Sequence, residues 1–96
     1  MSRLIWTRPA QQAIVCLHRF LADQDPAAAR RAIKAIRAGV NVLVRQPRFG
    51  RPVDELDTVF REWPIDFGDS GYVAMYRVDD EGVAILAIRH QREAGY

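Results

Sequence analysis

The sequence predicts an α+β fold: an N-terminal strand, an antiparallel helical hairpin, then a three-stranded antiparallel meander, the helices packed on a four-stranded sheet. Three observations predict it. Apolar residues recur at helical spacing in two successive runs before Pro47. "DQDP", residues 23–26, separates those runs by only a few residues, too short for anything but an antiparallel return. The last forty residues change to strand patterning, punctuated by "GDSG" and "DEG".

"LIWT", residues 4–7, reads as the first strand. Thr7 is then placed as a helix N-cap, with Pro9 in the first turn, where its missing N–H does no harm. Ala10, Ala13, Ile14, Leu17, Phe20 and Leu21 form one apolar stripe and predict a helix from about Pro9 to Ala22. Cys16 lies beside that stripe and reads as a small packed residue. Asp25 caps the second helix and Pro26 begins it. Its apolar stripe is Ala29, Ile33, Ile36, Val40 and Leu43. Arg30, Lys34, Arg37, Asn41 and Arg45 form a parallel polar strip.

Residues 46–57, "QPRFGRPVDELD", carry loop punctuation and set Arg48 and Arg51 around Gly50. "VFREWPIDF" alternates, with Val59, Arg61, Trp63, Ile65 and Phe67 on one face, and Pro64 marks it as an edge strand. "YVAMYRVD", residues 72–79, follows. "VAILAI", residues 83–88, is apolar on both faces, as a central strand would be. The first strand then needs a partner, and this central strand is its natural neighbour. Strict alternation sets Ala84, Leu86, Ile88 and His90 on one face and Ile85, Ala87 and Arg89 on the other.

A chain of 96 residues suits one domain, residues 1–96, with one modest core. No apolar stretch approaches the ~20 residues of a membrane span, and the N-terminus lacks a signal peptide's apolar region, so the expected compartment is the cytoplasm. A lone cysteine agrees with a reducing compartment. Thirteen of the fourteen basic residues are Arg, and the net charge is +2. Arg forks suit carboxylates and phosphates. The near balance of acids and bases argues against non-specific coating of nucleic acid.

Motifs for nucleotide binding, metal ligation and a nucleophile elbow are absent, so no cofactor and no metal are expected. The sheet and its tail nevertheless gather Arg61, Glu62, Arg77, Arg89, His90, Arg92, Glu93 and Tyr96. Metal-free RNA cleavage needs a base, an acid and cations around the phosphorus, and these residue types supply those parts. They are equally ordinary for strand ends and surfaces.

Trp6 with the first-helix pattern, "RPVDEL", "FREWPIDFGDSGYVAMYRV" and the closing "VAILAIRHQREAGY" together resemble the RelE/ParE superfamily of bacterial toxins from type II toxin–antitoxin operons. The resemblance spans nearly the whole chain and implies two helices on an antiparallel sheet. RelE-like members cleave mRNA at the ribosome; ParE-like members poison DNA gyrase. Both are neutralised by a cognate antitoxin that wraps the toxin. The strand-end "RHQR", the single Lys and the near-neutral charge resemble the ParE-like branch. The resemblance therefore implies a gyrase-binding toxin of the plasmid-stabilisation type, with Arg89, His90, Arg92 and Tyr96 as target contacts. It implies a small acidic antitoxin meeting Trp6, Arg30, Lys34, Arg37, Arg48, Phe49, Arg51 and Trp63. The alternative is a ribosome-dependent nuclease in which Arg61, Arg77 and Arg89 steady the phosphate, His90 or Glu62 is the base and Tyr96 the acid.

Overall fold

The computed structural model describes residues 3–53, 59–68 and 70–92. The order is β1 (Arg3–Trp6), α1 (Arg8–Ala22), α2 (Pro26–Arg45), β2 (Arg51–Pro52), β3 (Phe60–Phe67), β4 (Ser70–Asp79) and β5 (Gly82–His90). The sheet runs β1-β5-β4-β3-β2. β1 lies parallel to β5 and every other pairing is antiparallel, so the sheet is mixed. The predicted architecture holds, and the sheet has five strands rather than four.

The additional strand falls in the segment that its Pro and Gly punctuation marks as a loop. Arg51 pairs with Glu62 and Pro52 with Arg61. β3 is therefore covered at its N-terminal end and is an edge only beyond it, where Pro64 sits.

Both helices pack on one face of the sheet. From α2, Ala29, Ala32, Ile36, Val40 and Leu43 are fully buried. The last four share one core cluster with Ile65 of β3, Tyr72, Ala74, Tyr76 and Val78 of β4, and Val83 and Ile85 of β5. α2 approaches β3 closely because Gly39 has no side chain: a Cβ there would lie 2.8 Å from Ile65 Cγ1. Trp63 Nε1–H donates to the Gly39 carbonyl at 3.0 Å across the same contact. That close approach offsets the roughly 1 kcal/mol that glycine costs in a helix interior.

Asp25 caps α2 as expected, accepting from the N–H groups of Ala27 and Ala28. Thr7 stands at the N-cap position of α1 but makes no side-chain cap. Its hydroxyl donates to the Ile85 carbonyl at 2.7 Å, and its N–H to the same oxygen. The residue thus extends the β1–β5 ladder instead of closing the helix. α1 is the looser helix: only Ala10 is buried, Phe20 is 65% exposed and Val15 54%. Two expectations for this helix are corrected. Phe20 leaves the stripe and Cys16 is exposed rather than packed, because both line an open groove that separates α1 from Tyr72, Ile88 and His90 of the sheet.

The alternation expected of β5 also breaks. Between Met75–Ala87 and Tyr76–Ile85 the register slips by one residue, leaving Leu86 as a bulge. Val83, Ile85, Ile88 and His90 consequently share the helix-covered face, while Ala84, Ala87 and Arg89 share the open one. Strict parity had joined His90 to Ala84 and Arg89 to Ile85; one extra residue exchanges both.

Candidate functional site

The ionisable residues divide between the two faces of the sheet. On the helix-covered face stands Arg61, beside Tyr76. Its Nη1 donates to the carbonyls of Gly50 at 2.7 Å and Arg48 at 3.2 Å. Tyr76, fully buried, donates its hydroxyl to the Pro47 carbonyl at 2.7 Å and accepts the Gly50 N–H at 2.9 Å. Burial raises the Tyr76 phenol above its ordinary value of 10.0, a shift moderated by the Gly50 hydrogen bond and by Arg61. Burial alone raises Tyr72. Arg61 and Tyr76 pin the 46–50 loop from beneath. Gly50 is buried there, with no room for a side chain: an added Cβ would lie 2.5 Å from both the Glu62 carbonyl and the Tyr76 hydroxyl. The loop is therefore a fixed strap, from which the Arg48 and Arg51 side chains remain exposed.

His90 ends β5 on the same face, edge-on to Tyr72 at 5.5 Å. The Arg92 N–H donates to its Nδ1 at 3.1 Å, so Nδ1 bears the lone pair and the ring proton sits on Nε2. That proton points at Ser70 Oγ, 3.0 Å away. Both ring nitrogens thus hold the chain's exit from the sheet. Ala13, Cys16, Leu17 and Phe20 of α1 face Tyr72, Ile88 and His90 across an open groove of about 370 Å³.

On the open face Glu62 is the one charged residue that the described part of the chain buries. Its Oε1 lies 3.1 Å from Arg51 Nη2 and its Oε2 3.7 Å from Arg89 Nη2. The Arg51 side chain is 76% exposed and that of Arg89 only 16%. Arg89 Nη1 also donates to the carbonyls of His90 and Gln91. One carboxylate thereby joins β2, β3 and the end of β5. Arg77 stands four positions along β4 from Val73, the partner of Arg89, or about 13 Å. It pairs with Asp79 at 3.6 Å.

Of the nuclease set read from the sequence, the structure brings Glu62 and Arg89 together and adds Arg51. It does not bring Arg61, Arg77 and His90 to that carboxylate. Glu93 and Tyr96 lie outside the described residues. Among the proposed antitoxin contacts, Phe49 is 57% exposed and its ring sits 5.9 Å from that of Trp63. Trp6 is half-buried, and Arg30, Lys34, Arg37 and Arg48 are exposed. Sequence reasoning missed Ser70, Tyr76 and Gly50 as organising residues. Gly50 between "QPRF" and "RP" carried a signal for close approach; Ser70 carried none.

Among the described residues no cluster of His, Cys, Asp or Glu could hold a metal ion, and no helix is long and apolar enough to cross a membrane.

The family model described as "ParE toxin of type II toxin-antitoxin system, parDE" matches residues 4–95. Toxin RelE3 of Caulobacter vibrioides is 36% identical over 84 residues, which cover 88% of this chain and 88% of that protein. A chain of the solved "Chromosomal ParDE TA system from P. aeruginosa" superposes with a TM-score of 0.78 at 25% identity, covering 94% of this chain and 96% of that one. Helical hairpin, sheet order and sequence thus agree on a toxin of the RelE/ParE superfamily. The chain belongs to the ParE toxin family of type II toxin–antitoxin systems.

Proposed function

We propose that this toxin acts by binding: it docks on DNA gyrase, stalls the DNA-breaking cycle without catalysing a reaction, and is neutralised by a cognate antitoxin. The observation that supports this reading is the division of the ionisable residues. Arg61 is committed to the carbonyls of Arg48 and Gly50, His90 to Ser70 and the Arg92 N–H, and Arg77 to Asp79. An acid–base pair needs its members within hydrogen-bond reach of one reacting group. Groups that stand on opposite faces of a sheet do not share one. Arg92, exposed where the chain leaves β5, and Tyr96 beyond it are the target contacts proposed, with Arg89 and His90 holding that exit in place.

A supercoiling assay with purified gyrase tests it. Inhibition together with trapped cleaved DNA is expected at micromolar toxin, and Arg92→Ala weakens both. Full supercoiling with no trapped cleavage at that concentration rejects the reading. For the antitoxin, the exposed Phe49 against half-buried Trp63, flanked by Arg48, with Trp6 on the edge strand β1 at the other side of the sheet, is the apolar and cationic surface an acidic segment would cover. Co-purification with a small acidic protein from the native host is the expected result. A toxin recovered alone from that host counts against it.

A second reading, a ribosome-dependent mRNA endoribonuclease, has one specific observation in its favour: Glu62 lies between Arg51 and Arg89, a carboxylate beside two cations that could face a phosphate. Glu62→Gln then abolishes mRNA cleavage in a translating extract. Wild-type toxin that leaves mRNA intact there removes this reading.

A further inference from the structure

We infer that the outward face of α2, with the adjoining flank of α1, is a binding surface for the phosphate backbone of double-stranded DNA. Near-neutral charge over the whole chain does not exclude a locally cationic surface, and the helices carry one. Residues 8–46, the helical layer, carry seven basic and two acidic residues, a formal charge of +5. The remainder carries seven basic and ten acidic residues, or −3, which gives the chain its +2. The two acids of the helical layer lie at the turn between the helices. One of them, Asp25, is occupied as the cap of α2.

Within that layer Arg30, Lys34, Arg37, Asn41 and Arg45 recur at steps of four, three, four and four residues. At about 100° per residue they fall within an arc of roughly 80°, and at about 1.5 Å per residue they extend over roughly 22 Å. All five are exposed. Elsewhere in the described chain Arg51, Arg77 and Arg89 each meet a carboxylate. Among the described residues none of the four cations on this strip does, and neither do Arg8, Arg19 and Arg31 elsewhere on the helices. A line of unpaired guanidinium and ammonium groups on a straight element matches a duplex that presents one negative charge per roughly 1.7 Å of axis, about 13 over the same length. His18 of α1 borders Arg30, Lys34 and Arg37 along the shallow groove between the helices, where the amide of Asn41 adds a neutral donor for a phosphate oxygen. With no aromatic side chain in the strip to stack on an unpaired base, a duplex rather than a single strand fits it.

Purified toxin is titrated into a fluorescein-labelled duplex of arbitrary sequence and about 20 base pairs, with anisotropy followed from about 50 to 200 mM salt. Four neutralised phosphates give log K against log salt a slope of about −3.6, a loss of affinity of roughly a hundredfold over that range. The combined variant R30Q/K34Q/R37Q/R45Q is expected to bring the slope close to zero and to lower affinity at the low-salt end at least tenfold, with an unchanged circular dichroism spectrum. Absence of binding by wild-type toxin at low salt overturns the inference, and so does a variant with the wild-type slope. If the variant keeps its DNA affinity but loses a poly-glutamate probe, the strip is a docking surface for acidic protein and the inference is wrong. No gyrase is present in the assay, so this surface and the gyrase reading stand or fall separately.

Discussion

On the helix-covered side of β4, Tyr72, Ala74, Tyr76 and Val78 are at most 6% exposed. On its other side Val73 and Met75 are half-buried and Arg77 is open to solvent. The two sides come from alternate residues of one strand, yet each handles polar groups in its own way. Beneath the helices, the Tyr76 hydroxyl and the Trp63 indole are paired with backbone atoms at fixed geometry. On the open side, the paired groups are charges, graded from the buried Arg89–Glu62 contact to the exposed Arg77–Asp79 pair. The covered side holds the fold and the open side modulates it, and substitutions should separate the two.

The largest effect is expected from Ile36→Ala. Its side chain is fully buried, and emptying such a site costs about 3 kcal/mol, read as a lower urea midpoint. Gly50→Ala comes next, at about 2 kcal/mol, because the new methyl meets a backbone carbonyl and a buried hydroxyl and the strap must lift. An unchanged midpoint would mean that the 46–50 loop is not fixed.

Tyr76→Phe is expected to cost about 1–2 kcal/mol at neutral pH, since the Pro47 carbonyl and the Gly50 N–H lose their partner. It also carries a pH signature. Burial raises the folded-state value of the phenol above 10.0, so its contribution is fully present below pH 10 and is lost as pH rises through the raised value. The wild-type protein should therefore lose thermal stability above about pH 10 more steeply than the Phe variant. Parallel melting curves for the two would contradict the buried phenol.

The smallest effects belong to the open side. Glu62→Gln is expected to cost about 1 kcal/mol, chiefly through the enclosed Arg89 contact, because solvent screens the exposed Arg51. Arg77→Ala should change the urea midpoint by less than about 0.5 kcal/mol. If both variants cost the same, the gradation along the open side is wrong.

Much of this layout could be read from residue spacing. The helical stripes, the "DQDP" break, the Asp25 cap and the central position of "VAILAI" are local patterns with local causes. Three features were not legible. β2 exists because Arg61 and Tyr76 hold the preceding loop against β3, a contact between distant residues that outweighs the loop character of "QPRFGRP". The Leu86 bulge has no sequence mark, since leucine suits either face of a strand, and it reversed the faces assigned to Arg89 and His90. Thr7 has the chemistry of a cap, but the Ile85 carbonyl from the far end of the chain took its hydroxyl.

The sequence by itself determined the fold class, the order of elements and, through residues spread from Trp6 to the "RHQR" ending, the toxin family. Periodicity and punctuation act over a few residues and are written directly in the chain. Which ionisable groups meet was decided by the tertiary structure. One unpaired residue in β5 and one pinned loop determine whether Glu62 faces Arg89 or His90. The same packing gathers the cations of two helices into one layer while chain-wide charge remains near zero. These outcomes depend on register and on contacts between residues far apart in sequence, where spacing gives no information.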